Sequence, residues 1–274
     1  MIIAKTRKSN IKLTMNRNDM IIEHKKCKAI TKKGLAITVT NSKGGVAKSD
    51  SVYNLGYAVA INEPEKSILF VNADNQKTLE QRYNRRKTNG LKDLDNVTFD
   101  NCTPASLKHT ISRYKELYDY IFIDVAANSD DSALANFVFC DLIYFVLNTS
   151  KSCTEVIPSI VKILDKTIML RTTACVYKSF YSKVSPLPHV AAAHIAESNI
   201  ELSKYASIIT PCDFSIATRS IYEKCSVTGE CIIERKVLKS DVSGNKAKAE
   251  IAAFYEDFRK TVEQIENATG GSNE

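Results

Sequence analysis

The sequence predicts a doubly wound α/β domain, a single, mostly parallel sheet with helices on both faces, preceded by a basic N-terminal arm. Three observations carry that prediction. Short runs rich in Ile, Val, Phe and Tyr recur from residue 35 onward, and they are apolar on both faces rather than alternating, as strands buried from both sides are. Segments of helical length separate these runs, with no internal repeat and no linker. A glycine turn joins the first run directly to a helical segment, at the strand end where ligands of such sheets bind.

The elements follow in order. LAITVTN (35–41) reads as the first strand, and the turn after it leads into an amphipathic helix over 49–62. SILFVNAD (67–74), YDYIFIDV (118–125) and DLIYFVLNT (141–149) are the next strands. Helices are expected over 76–87, 104–117, 130–139 and 153–165, further strands over 167–176 and 206–210, and a closing helix over 245–267. The segment 177–205 carries no recognisable motif. The domain is placed at 35–268, with 1–34 as the arm and 269–274 as a tail.

With 274 residues, 44% of them hydrophobic, the chain has the apolar content for a sizeable core, which excludes disordered and fibrous classes. No stretch is long and apolar enough for a membrane-spanning helix, and MIIAKTRKSN holds too few apolar residues for a secretory segment. Eight cysteines are scattered without a C-x-x-C pair, so reduced thiols and a cytoplasmic location are expected. Charge is uneven. Residues 1–34 hold ten Lys/Arg against Asp19 and Glu23, whereas the remainder is nearly neutral within a net charge of +7. A basic arm on a neutral body points to a polyanion such as nucleic acid, and equally to a solubilising tail.

The strongest local signal is Asn41-Ser42-Lys43-Gly44-Gly45-Val46-Ala47-Lys48-Ser49 between the first strand and its helix. Two glycines let backbone approach a phosphate, and the N–H groups from Gly44 to Asp50 at the helix start would face the anion. Lys48 would neutralise β- and γ-phosphates, and the Ser49 hydroxyl would ligate Mg²⁺. The common G-x-x-x-x-G-K-[ST] form is not met, because Ser42 and Ala47 stand at its glycine positions; K-G-G-x-x-K-[ST], with Lys43 as a second lysine, is. Asp124, at the end of a buried run, is placed to hold Mg²⁺ through its water shell.

On these residues the chain resembles the ParA family of deviant-Walker ATPases, in particular the small plasmid-partition type. Three further segments support the likeness: SILFVNADNQKTLEQRYNRR (67–86), YDYIFIDVAANSDDSALANFVFCDLIYFVLNTS (118–150), and the Arg219, Tyr222, Gly229, Ile232 pattern followed by KAKAEIAAFYEDF (246–258). The resemblance spans about 35–265. It implies that ATP and Mg²⁺ are the cofactors and that Asp74 orients the hydrolytic water. It also implies that Lys43 reaches the partner's nucleotide in an ATP-sandwiched homodimer. Pro211 is assigned to the nucleotide. Nonspecific DNA binding is implied through Arg219, Lys224, Lys236 and Lys239, with Arg82, Arg85, Arg86 and Lys87 a weaker set, explained equally by a solvated helix face. The implied partner is a small centromere-binding, ParB-like protein, and the implied location is the nucleoid.

The departures from the family pattern are specific. Ala47 replaces a glycine, Asp50 a Ser/Thr that helps bind the α-phosphate, Asn72 the first acid of D-x-D, and Asn75 its proline; Ala126 and Ala127 stand where prolines are usual. The expected activity is therefore a slow ATPase. The alternative is a degenerate, non-hydrolysing nucleotide- and DNA-binding scaffold of a conjugation or mobile-element system. A membrane-cycling relative would need a basic amphipathic C-terminal helix, but 250–267 is acidic. An iron-protein relative would need paired cysteines after the second acidic strand, which are lacking.

Overall fold

The computed structural model describes residues 33–126, 137–171 and 173–270. Seven strands form one sheet: β1 (Leu35–Thr40), β2 (Ile68–Ala73), β3 (Val97–Asn101), β4 (Tyr120–Val125), β5 (Leu142–Leu147), β6 (Val176–Val184) and β7 (Thr210–Ala217). Their order is β3-β2-β4-β1-β5-β6-β7, and every pairing is parallel. The helices are α1 (Lys48–Asn62), α2 (Thr78–Thr88), α3 (Leu107–Tyr114), α4 (Lys151–Thr154), α5 (Ile157–Leu170), α6 (Pro188–Ser203), α7 (Ser220–Thr228) and α8 (Val242–Gly270). The expected α/β class is present.

β2, β4 and β5 are buried at every position, and β1 at all but its first, which is why their sequences read as unbroken apolar runs. The reading of α1 as amphipathic does not hold. Only its ends are partly exposed, because it lies between the sheet, α8 and α2. On the same face of the sheet, beside α1, the Phe254 and Phe258 rings of α8 pack edge-on or tilted against Tyr144, Phe180, Tyr120 and Phe122. Asp257 adds a half-buried ionic tie, accepting from Lys178 Nζ at 2.6 Å and Tyr144 OH at 2.9 Å.

Several boundaries differ from the sequence reading. The strand expected over 167–176 is instead the end of α5 and a turn. The buried row Ile157, Ile160, Val161, Leu164 and Thr167 keeps the helix going to Leu170, and the β-branched composition of the segment misleads. β6 starts only at Val176 and fills part of the motif-free segment, which also contains α6. The strand expected over 206–210 begins at Thr210 as the sheet-edge β7, where Pro211 is tolerated because the outer side of an edge strand has no ladder that needs its N–H. β3, short, polar and half-buried, and α7 were not legible. The helix expected over 130–139, Ala127 and the arm fall largely or wholly outside the described residues.

Arg82 and Arg86 of α2 depart most from their expected setting. Both side chains are buried, at 3% and 2% exposure, and their guanidinium groups lie over the Tyr53 and Tyr57 rings of α1 at 4.1 and 4.7 Å. Arg86 pairs with Glu234 at 2.6 Å and donates to Lys92 O, and Arg82 donates to Glu230 O. They form neither a solvated face nor a DNA surface. The turn they brace depends on Gly229, which has φ +79° and whose added Cβ would lie 2.3 Å from Arg86 N. Gly229→Ala should therefore lower stability by roughly 2 kcal/mol or more, measured as a drop in the midpoint of denaturant unfolding.

Candidate functional site

The glycine turn sits at the carboxyl end of β1, and three buried groups shape it. Asn41, at the strand end, donates Nδ2 to Val146 O of β5 at 2.7 Å and accepts the Lys43 N–H at 2.8 Å. Ser182 of β6 donates to Val46 O at 2.8 Å, while the Val46 side chain is fully buried. Gly44 and Gly45 are exposed, with no atom within 4 Å of where a Cβ would lie, and Gly45 has φ +75°. The loop is thus pinned underneath and open on top, as a phosphate cradle must be.

Ala47, the residue before α1, adopts φ 67°, ψ 33°. The chain keeps the left-handed turn that a glycine would supply and carries the cost in its methyl group. Lys48 is buried and folds back to donate Nζ to Lys43 O at 3.0 Å. Burial lowers its pKa, against the opposing pull of Asp124 and Asp74. Lys43 donates to Ser150 Oγ of its own chain at 3.3 Å.

Asp124 ends β4 at 0% exposure, and neither carboxylate oxygen has a hydrogen-bond partner. Burial raises its pKa to about 7, with Asp74 and Asp50 adding to the rise and the nearby Ser49 hydroxyl and Lys48 opposing it. A buried carboxylate with both oxygens unclaimed, beside the first serine of α1, fits a hard divalent cation. Among the described residues no cluster of three or more His, Cys, Asp or Glu offers another metal site. Asp74, half-buried after β2, accepts the Gln76 N–H at 2.9 Å and lies near enough to Asp124 and Lys48 to act on both electrostatically.

Asp50 is not a bare carboxylate facing the loop. Arg82 Nη1 holds it at 2.6 Å, so the charge that replaces Ser/Thr arrives with its own counter-ion. Arg82 was legible only as one of four basic residues on a helix.

A cavity of about 310 Å³ opens beside the loop, lined among others by Ala47, Asp50, Asn54, Thr218, Arg219 and Tyr222. Its far wall is the carboxyl end of β7. Pro211 lies at the amino end of that parallel strand, paired with Ser179, on the side of the sheet away from the loop, so it does not join the site. The positions facing the cavity are Ala217 and Thr218. Arg219 is also relocated. Its guanidinium is bound by Glu250 through Nε at 3.0 Å and Nη2 at 2.6 Å, and Tyr222 OH donates to the same carboxylate at 2.9 Å. Arg219 therefore builds the cavity wall instead of a DNA face. Lys224, Lys236 and Lys239 are exposed.

No family model and no curated protein matches the chain. Solved structures do. Apo McdA from Cyanothece shares 14% identity over 81% of this chain and 98% of its own, with a TM-score of 0.62. MinD from Pyrococcus horikoshii complexed with Mg-ADP shares 16% over 84% and 97%, TM-score 0.59. A plasmid partition protein from Borrelia burgdorferi bound to AMPPNP shares 18% over 84% and 100%, TM-score 0.58. The chain has the MinD/ParA-type P-loop ATPase fold. That likeness is one of fold, and it gives the loop, Asp74 and Asp124 their common setting at the carboxyl edge of the sheet. Among the described residues no helix is long and apolar enough to cross a membrane.

Two outcomes follow. Ala47→Gly should relieve the left-handed strain and raise stability by up to about 1 kcal/mol, read as a higher Tm. The raised pKa of Asp124 means that its contribution to stability is complete below its ordinary value of 3.8 and is lost as pH rises through about 7. Asp124→Asn should therefore flatten the fall in apo-protein Tm between about pH 4 and about pH 8, followed by thermal denaturation in metal-free buffer across that range.

Proposed function

We propose that the chain is a ParA-like ATPase of plasmid or DNA partition, which binds ATP-Mg as a sandwich dimer, binds DNA without sequence preference, and hydrolyses ATP slowly. One observation carries the reading: an open Gly44-Gly45 cradle stands over a buried lysine and a buried carboxylate that no protein group satisfies. In this reading the N–H groups at the start of α1 bind the phosphates. Lys48 exchanges its bond to Lys43 O for a phosphate oxygen. Ser49 and Asp124 hold Mg²⁺, which when bound supplies positive charge to the β- and γ-phosphate oxygens.

Asp74 orients the attacking water. Lys43, here on Ser150, turns to the partner's nucleotide when two copies close over ATP. The nucleoside occupies the cavity between Ala47–Asn54 and the end of β7, whose volume suits a base and sugar. Two features support turnover over the scaffold reading. Ala47 keeps the loop conformation that a glycine would give, and Asp50 is neutralised by Arg82.

Lys224, Lys236, Lys239 and the basic arm would contact DNA phosphates, with binding that weakens steeply as salt rises. A small centromere-binding, ParB-like protein would stimulate hydrolysis and release the dimer from nucleoid DNA. No membrane is involved in this cycle.

The test is ATP hydrolysis by the purified protein with Mg²⁺, with and without nonspecific DNA. Turnover should be slow, rise with DNA or partner, and fall at least a hundredfold (roughly 10²) in Lys48→Ala. ATP binding without any Lys48-dependent turnover would leave the non-hydrolysing scaffold instead.

A further inference from the structure

Asn72 stands where the family pattern has an acid, and its surroundings fix what its side chain does. It occupies β2 in register with Asp124 on one neighbouring strand and Asn101 on the other, so the three side chains form one row across β3, β2 and β4 on the same face of the sheet. The row is anchored at its outer end. Glu80 only accepts, so Asn101 must turn its Nδ2 to Glu80 Oε1, at 3.0 Å. Asn101 Oδ1 then faces Asn72 and accepts from Asn72 Nδ2 at 3.1 Å. The same Nδ2 donates to Asp74 O at 3.2 Å. Both amide hydrogens of Asn72 are thereby used, and its orientation follows from the chemistry of the chain of partners.

What remains is Asn72 Oδ1. The residue is 3% exposed and this oxygen has no hydrogen-bond partner. Its register neighbour Asp124 carries two more buried, unsatisfied oxygens. Three buried acceptors on register neighbours, none with a partner within hydrogen-bond distance and with the Ser49 hydroxyl close by Asp124, are costly in a protein interior unless a cation or its water fills the space.

We propose that Asn72 is a further positioning residue of the metal site. Its amide oxygen accepts a hydrogen bond from the water shell of the cation that Asp124 holds, while one amide hydrogen holds the Asp74 carbonyl and the other Asn101. The side chain thus ties the metal-holding carboxylate to the water-orienting one. A neutral amide does this without adding a second carboxylate beside Asp124. The inference rests on the nucleotide–metal reading above, and it concerns a residue to which the loop motif assigns no role.

The experiment measures Mn²⁺ binding by electron paramagnetic resonance to the full chain in the presence of saturating ADP. Wild type is compared with Asn72→Leu, Asn72→Ala and Asn72→Asp, and metal-free ADP affinity is measured alongside. Leu and Ala remove the oxygen and should weaken Mn²⁺ binding roughly tenfold, leaving metal-free ADP affinity unchanged; if the Leu variant does not fold, the smaller Ala carries the comparison. Asp keeps an oxygen and should bind Mn²⁺ at least as tightly as wild type. Mn²⁺ affinity within twofold of wild type in the Leu or Ala variant, or an Asp variant weakened to the same degree as Leu and Ala, overturns the proposal. A wild type that binds no Mn-ADP at all sinks the nucleotide reading itself, which a normal wild type with an indifferent Asn72→Leu would not.

Discussion

The confinement of α1 shapes everything at the carboxyl edge of the sheet. Its apolar residues rest on β1, β2 and β4, α8 closes one flank, and the stacked Arg82 and Arg86 close another. Asn54 and Tyr53 bind the 229–232 turn, through the Ile232 N–H at 3.0 Å and Gly229 O at 2.6 Å. A helix held on all sides cannot shift to relieve strain at its first residue. Ala47 therefore takes the left-handed conformation the loop requires although it is not glycine. The open cradle of Gly44 and Gly45 is the outward face of that rigid seat.

Electrostatic compensation is the second organising theme. Burying Lys48, Asp124 and Arg82 within a short distance of one helix start would be prohibitive if each stood alone. Lys48 is held by a backbone carbonyl, and Arg82 by Asp50, Glu230 O and the Tyr53 ring, with its Nε left without a partner. Asp124 alone keeps both oxygens open, and Asn72 beside it keeps one. The open acceptors of Asp124 and Asn72 stand where a cation and its water would enter. The two departures from the common loop that look most damaging as letters, Asp50 and Asn72, are each absorbed by a neighbour distant in sequence.

Much of the architecture was legible because parallel strands buried on both faces leave unmistakable apolar runs. The first, second, fourth and fifth strands and the closing helix were found within a few residues of their limits. β3 and β7 were missed or misplaced since edge strands are half-exposed and read as mixed sequence. The run 167–176 failed for the opposite reason: its apolar, β-branched residues finish a helix whose buried stripe lies earlier in the chain.

In the site, the local part was set by sequence and the distant part by packing. A nine-residue turn between a strand and a helix fixes which backbone N–H groups and which lysine lie together, so the loop, Lys48 and Ser49 could be read directly. Asp124 is proposed as a metal holder because the phosphate loop upstream gives a carboxylate at the end of a buried strand a cation to hold. The counter-ion of Asp50, the capture of Arg219 by Glu250, the displacement of Pro211 to the wrong end of β7 and the row linking Asn72 to Asp124 all join residues tens to hundreds of positions apart. Register between neighbouring strands and the docking of helices decide such pairs, and neither leaves a periodic trace along the chain.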